Sequence, residues 1–170
     1  MMALPQEYLS NLTSFESLDL GQNPTLNKIV ADDFSSLVNL VHFDLSCGSE
    51  RDIDENAFAN LAKLKSLSLS SNNLSTLPKN PFKDLHSLTD LELHHNDLTS
   101  LPEGIFQDSE KLKGLRLHHN KIEELRHSHL NGFKHLEALV AHNNKLTSSE
   151  RGIFGKLPNL TQLDISENKI

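Results

Sequence analysis

The sequence predicts an α/β solenoid, a horseshoe with a parallel β-sheet on its concave face and short helical or 3-10 turns and loops on its convex face. Three observations carry this. A frame recurs in phase, beginning at Phe15, Leu40, Leu64, Leu88, Leu112, Leu136 and Leu160, with a spacing of 25 residues once and 24 thereafter. Each frame opens with leucines alternating with polar residues, which is the period of a short strand with one buried face. Each then carries an apolar residue, an aromatic and another apolar residue at fixed offsets, as at Leu77, Phe82 and Leu85. One frame cannot bury its own leucines, so the frames must stack, and stacking builds one continuous core.

Residues 1–170 read as a single array. Residues 1–14 form a partial frame in which Leu4, Leu9 and Leu12 take the places of Leu77, Phe82 and Leu85, and a second partial frame starts at residue 160. The full frames share the pattern L-x-x-L-x-L-x-x-N-x-L, as in LKSLSLSSNNL from Leu64, LTDLELHHNDL from Leu88 and LKGLRLHHNKI from Leu112. Leu91 and Leu93 alternate with Asp90, Glu92 and His94, so one strand per frame is expected. Phe34, Phe58, Phe82, Phe106 and Phe154 predict a second buried column behind the strands, with Leu130 taking one place in it. Asn23, Asn72, Asn96, Asn120, Asn144 and Asn168 sit where the chain turns out of each strand. An amide pointing inward there bonds backbone groups of neighbouring turns. The second frame departs from the pattern, with Gly48 at the Asn position and Glu50 at the next Leu position. A bulge is therefore expected over Cys47 to Asp52, either a binding loop or simple decay of a tolerant repeat.

Composition narrows the function. A net charge of −7 with no Lys/Arg run argues against nucleic acid and acidic membranes as partners. No apolar stretch approaches the roughly 20 residues that span a bilayer, so this segment is not expected to insert directly. Cys47 is the only cysteine, which excludes an internal disulfide and a cysteine-based zinc cluster. No nucleophile elbow, phosphate-cradling glycine loop or metalloprotease helix occurs, so no catalytic residue and no cofactor are assigned.

The recurring frame resembles the leucine-rich-repeat superfamily over nearly the whole chain. Its 24-residue length, the segment SLPEGIF (Ser100 to Phe106) and the Phe column look like the typical extracellular class, which includes Toll and Toll-like receptor ectodomains, lamprey variable lymphocyte receptors and neuronal adhesion proteins. RGIFGKLPNLTQL (Arg151 to Leu163) is most similar to an arthropod Toll ectodomain. The resemblance implies a non-enzymatic recognition scaffold of a cell-surface or secreted receptor of innate immunity or adhesion, with a protein ligand or co-receptor, or a glycan, bound on the concave face or a flank. A structural spacer, an intracellular adaptor and a bacterial effector repeat domain are the alternatives. Extracellular members of the class carry cysteine-rich caps and this sequence shows none. That departure implies a segment of a longer receptor, and exposed terminal leucines and strand edges predict self-association.

Non-leucine strand positions are the candidate partner-binding residues: Asp44, Asp90, Glu92, His94, His95, Arg116, His118, His119, His142 and Asp164. Seven strands about 4.8 Å apart span roughly 30 Å, the scale of a macromolecular epitope. His94, His118 and His142 share one position in three consecutive frames, and His95 and His119 share the next, so a block of imidazoles is expected. It reads as a pH sensor, as a zinc site through His94, His118 and His142, or as a duplicated HHN turn without a role of its own. Asn11, Asn73 and Asn159 head allowed glycosylation sequons, while Asn23 precedes a proline and does not.

Overall fold

The computed structural model describes residues 8–30, 33–49, 52–149 and 152–170. Leu4, Glu50, Arg51 and Arg151, on which parts of the preceding reading rest, lie outside them. Seven three-residue strands, β1 (Ser17–Asp19), β3 (His42–Asp44), β5 (Ser66–Ser68), β6 (Asp90–Glu92), β7 (Gly114–Arg116), β9 (Ala138–Val140) and β11 (Gln162–Asp164), pair in parallel in chain order. Past the turns, β2 (Lys28–Ile29) pairs with β4 (Asp52–Ile53), and β8 (Glu124–Leu125) with β10 (Ser148–Ser149). The opposite side holds turns, one four-residue helix α1 (His127–Leu130) and a 3-10 turn at Ile153–Lys156. This is the solenoid that the periodicity predicts.

Register follows from that period. Leu67, Leu91, Leu115 and Leu139 stand side by side on successive strands, because each frame returns its leucines to the same face. All four are fully buried, and each contributes on the order of 2 kcal/mol. The Phe column forms behind them. Phe58, Phe82 and Phe106 stack at 6.4 and 6.1 Å between centroids, and Phe34 meets Phe43 edge-on at 4.6 Å.

Two column positions differ from expectation. Leu130 is buried, yet the ring that continues the stack is Phe133, 5.2 Å from Phe106. This frame exchanges the order of its aromatic and aliphatic residues and fills the same volume. Beside it the chain must pass close to the previous frame, and a Cβ on Gly132 would overlap the Phe106 carbonyl. Phe154 is only partly buried, while its neighbour Ile153 is buried.

The irregular second frame also differs. At Cys47 the backbone N–H still donates to the Ser70 carbonyl at 2.9 Å, and Gly48 N–H donates to Asn72 Oδ1 at 2.9 Å. The pairing is therefore regular at Cys47 and Gly48, while Glu50 and Arg51 of the expected bulge lie outside the described residues. The length change lies one frame earlier. Ser17 pairs with His42, an offset of 25, whereas Lys28 pairs with Asp52, an offset of 24. The extra residue thus sits between Asp19 and Lys28, where Leu26 N–H closes a tight turn onto the Asn23 carbonyl at 3.1 Å.

The Asn ladder ties frames together. Asn96 Oδ1 accepts from the N–H groups of Asn72 and Leu74 at 3.1 and 2.9 Å. Its Nδ2 donates to the carbonyls of Leu69 and Leu93 at 2.9 and 3.0 Å. Asn120 and Asn144 are also buried and also donate to a carbonyl one frame back, Leu93 and Leu117. Asn23 is the exception to the predicted ladder. It is exposed and donates within its own frame, to Leu20 and Gly21, because β1 is the outer strand of the sheet and among the described residues no earlier strand offers a carbonyl.

Candidate functional site

Three residues past the end of each of the seven strands the chain turns on a left-handed residue. Gln22, Cys47, Ser71, His95, His119, Asn143 and Glu167 all have φ between 52° and 57°. None is glycine. The conformation carries a steric cost of about 1–2 kcal/mol for a residue with a Cβ. It is held by the ladder: His95 N–H donates to the His118 carbonyl at 3.0 Å and His119 N–H to the His142 carbonyl at 3.1 Å. The turn sets the side chains before it on the concave rim.

The predicted concave residues fall into two groups. Near β1 to β6, Ser17, Asp19, His42, Asp44, Ser66, Ser68 and Glu92 line an open depression of about 320 Å³. The small side chains of Ser66 and Ser68 leave it between Asp44 and Glu92. Asp44 Oδ1 accepts from Ser46 N–H at 2.7 Å, as Asp19 does from Gly21 and Asp164 from Ser166. These carboxylates close Asx turns at the strand exit as well as facing outward. The two hydrogen bonds from Ser166, one backbone and one side-chain, hold the Asp164 carboxyl below its ordinary range.

Further along, opposite charges pair between neighbouring frames. Glu92 meets Arg116 at 3.0 Å and also accepts from Ser68 Oγ at 3.2 Å. Lys113 meets Glu137 at 2.8 Å. Asp90 Oδ2 accepts from Thr89 Oγ1 at 2.8 Å, and its other oxygen occupies the room left by Gly114, whose absent Cβ would lie 3.0 Å from it. Exposed pairs of this kind are worth about 0–1 kcal/mol each, so an arriving partner separates them at little cost.

The histidines meet as the frame spacing predicts. His94, His118 and His142 form one stack, with centroids 4.5 and 4.8 Å apart and ring planes 8° and 20° from parallel. His95 and His119 form a second stack at 4.3 Å and 8°. The two stacks meet edge-on, at 5.5 Å between His94 and His95 and 5.6 Å between His118 and His119. Asn143 continues the second stack and donates to Glu167 at 2.9 Å. Desolvation comes first in lowering His118 to about 4, followed by repulsion from His94 and His142. Desolvation also lowers His94, opposed by Glu92, and it lowers His95, with His119 adding repulsion.

For the zinc alternative, imidazole lone pairs lie in the ring plane, and near-parallel rings about 4.5 Å apart direct them side by side. Among the described residues no three His, Cys, Asp or Glu side chains form a set able to hold a metal ion. Asn11 and Asn73 are exposed at their sequons, whereas Asn159 Nδ2 donates to the Lys134 carbonyl at 2.7 Å. Asn39 makes the equivalent bond to Thr13 at 2.8 Å, so this contact belongs to the repeat. Cys47 is an exposed free thiol.

Sequence reasoning did not find the charge pairs, nor His129, which is buried and whose Nδ1 accepts from Arg126 N–H at 3.1 Å. The signal available for the pairs was opposite charge at a spacing of 24, as in Glu92 and Arg116.

A solenoid with one strand per frame, a leucine core and an Asn ladder defines the class, and the comparisons agree. The leucine rich repeat family model matches residues 40–98 and 87–146, and the chain belongs to that family. Comparison with the curated proteins finds no match by sequence. Among solved structures the chain is similar to a TLR13–ssRNA13 complex, at 28% identity and a TM-score of 0.84, over 96% of this chain and 27% of that one. It is similar to the APL1 leucine-rich repeat domain, at 28% identity and 0.74, over 84% of this chain and 37% of that one. In the Drosophila Toll–Spatzle complex it shares the fold, at 20% identity and 0.71, over 99% of this chain and 29% of that one. The particular resemblance is therefore to Toll-like receptor and other leucine-rich-repeat ectodomains, and this chain spans between 27% and 37% of the chains it matches.

Proposed function

We propose that this chain is a non-enzymatic recognition scaffold, part of a cell-surface or secreted receptor, that binds a protein partner across its concave face. One observation carries the proposal: seven parallel strands turn their central apolar residues to one side, fully covered from Phe43 to Leu139, so every other strand side chain emerges on a single face. That face combines an acidic depression, weakly paired charges and a histidine block within roughly 30 Å. Its carboxylates and imidazoles stand on an open sheet in contact with water, which suits recognition and does not suit catalysis. The similar TLR13 structure is a complex with ssRNA. Against nucleic acid for this chain stand its net charge of −7 and its lack of a Lys/Arg run.

The test compares two faces. Asp44→Lys with Glu92→Lys alters the concave face, and Lys83→Glu with Gln107→Glu alters the turns that follow the Phe column. Binding is measured to immobilised extracellular proteins, to a sulfated glycan and to a single-stranded RNA. Protein binding that falls at least tenfold for the concave pair only supports the proposal. Equal losses for both pairs, or retention by RNA alone, overturn it. For the extracellular assignment, secretion should place glycans on Asn11 and Asn73 and leave Asn159 bare, as read by mass spectrometry, because the Asn159 amide nitrogen is already engaged.

A further inference from the structure

We infer that the histidine block is an acid-sensitive latch that clamps the frames beginning at Leu88, Leu112 and Leu136 together while its imidazoles are neutral and loosens them when they take up protons. Three independent features place it there. The rings are in mutual contact, at 4.3 to 4.8 Å within the stacks. Two charged imidazoles at that separation repel by about 1 kcal/mol even in water and more where solvent is displaced. The inner edge of the first stack is closed: Nδ1 of His94 and of His118 are buried and face no hydrogen-bond acceptor among the described residues. A bare lone pair is tolerable there, whereas protonation would create a buried N–H with nowhere to donate.

The third feature is backbone coupling. His95 and His119 are themselves the left-handed turn residues, and their N–H groups donate to the carbonyls of His118 and His142. Displacing the rings therefore strains the same turns that stitch one frame to the next. Outside the block, the corresponding first-stack positions are Gly21, Ser46, Ser70 and Ser166, so the scaffold folds there without imidazoles.

Neighbouring carboxylates offset the block only in part: Glu92 opposes the lowering of His94, and Asp164 is drawn to His142 and His118. Glu92 and Arg116 on its own strands are paired with each other, and Glu92 also holds Ser68. From the following frame, Asp164 is engaged by Ser166 and Glu167 by Asn143. In the turns beyond, Asp97 is paired with Lys121 at 2.6 Å, and Lys145 adds positive charge. The preceding frame presents Ser70 and Ser71, which carry none.

The direction of the response follows. The unfolded chain protonates its histidines near the ordinary 6.5, while in the folded protein His118 is lowered to about 4 and His94 and His95 are lowered too. The stabilisation is present above 6.5 and is lost as the pH falls from there towards 4. The device acts on the solenoid itself and needs no partner.

The experiment compares the protein with a variant carrying His94→Ser, His118→Ser and His142→Ser. Thermal midpoints are measured from pH 7.5 to 4.5. The native chain should lose on the order of 3–8 °C more than the variant over this range. Parallel losses in both would overturn the latch. Should the triple variant fail to fold, His94→Ser alone is followed by imidazole NMR titration. The midpoint of His118 should then rise from about 4 towards 6.5, and an unchanged midpoint overturns the proposal.

Discussion

The central frames and the first two frames hold the same turn by different means. From Asn72 to Asn144, buried amides each join carbonyl and N–H groups of two frames. Between the first two frames Gly48 supplies no amide, and at this turn Ser49 Oγ donates across to the Pro24 carbonyl at 2.5 Å. Yet Gln22, whose turn receives no amide from the second frame, keeps a left-handed φ of 55° and its N–H bond to the Ser46 carbonyl, just as Cys47 keeps its bond to Ser70 beside the Asn72 amide. Parallel backbone pairing is therefore sufficient to shape the turn. The Asn ladder strengthens a geometry that already exists, which is why the array absorbs both an extra residue and a missing amide at one end.

That comparison can be broken from several directions. Removing a ring from the middle of the Phe column should be most damaging, because neighbours on both sides keep a cavity open. Phe82→Ala is expected to cost about 3–5 kcal/mol by chemical denaturation, and Phe154→Ala clearly less, since Phe154 is partly exposed. Next comes the ladder. Asn96→Ala strands buried N–H and carbonyl groups of two frames and should cost about 1–3 kcal/mol, against under ~1 for Asn23→Ala. Equal losses at Asn96 and Asn23 would show that the amide matters within a frame and not between frames. Gly48→Asn supplies the missing amide, and a gain of about 0.5–1 kcal/mol would sharpen the view that the ladder adds to a preformed turn. Smallest of all is the concave charge. Arg116→Ala should change stability by no more than about 0.5 kcal/mol, because its pair with Glu92 is exposed, while changing any interaction made across that face.

The solenoid was legible because its period is simple. Leucines returning every 24 residues can be buried together only if frames stack in register, and Leu67 to Leu139 do so. The histidine block was legible for the same reason, since identical positions in adjacent frames become neighbours. Other features depend on volume and rotamer. Phe133 in place of Leu130 is invisible to a pattern that tests one position at a time, because the exchange conserves the pair and not the residue. Gly48 at the Asn position and Glu50 at the Leu position drew attention to the second frame, whereas the 25-residue spacing puts the extra residue in the first and the pairing offsets narrow it to between Asp19 and Lys28.

By itself the sequence determined the stack, its repeat length, the identity of the buried face and the side chains left over for recognition. Periodic hydrophobicity admits one way of removing those leucines from water. Tertiary structure decided what the leftover side chains do to one another: that Glu92 is shared between Ser68 and Arg116, that serines open a depression beside Asp44, and that imidazole rings close face to face over buried nitrogens. Those outcomes turn on ring orientation and on which groups reach within about 3 Å, distances that a one-dimensional period does not carry.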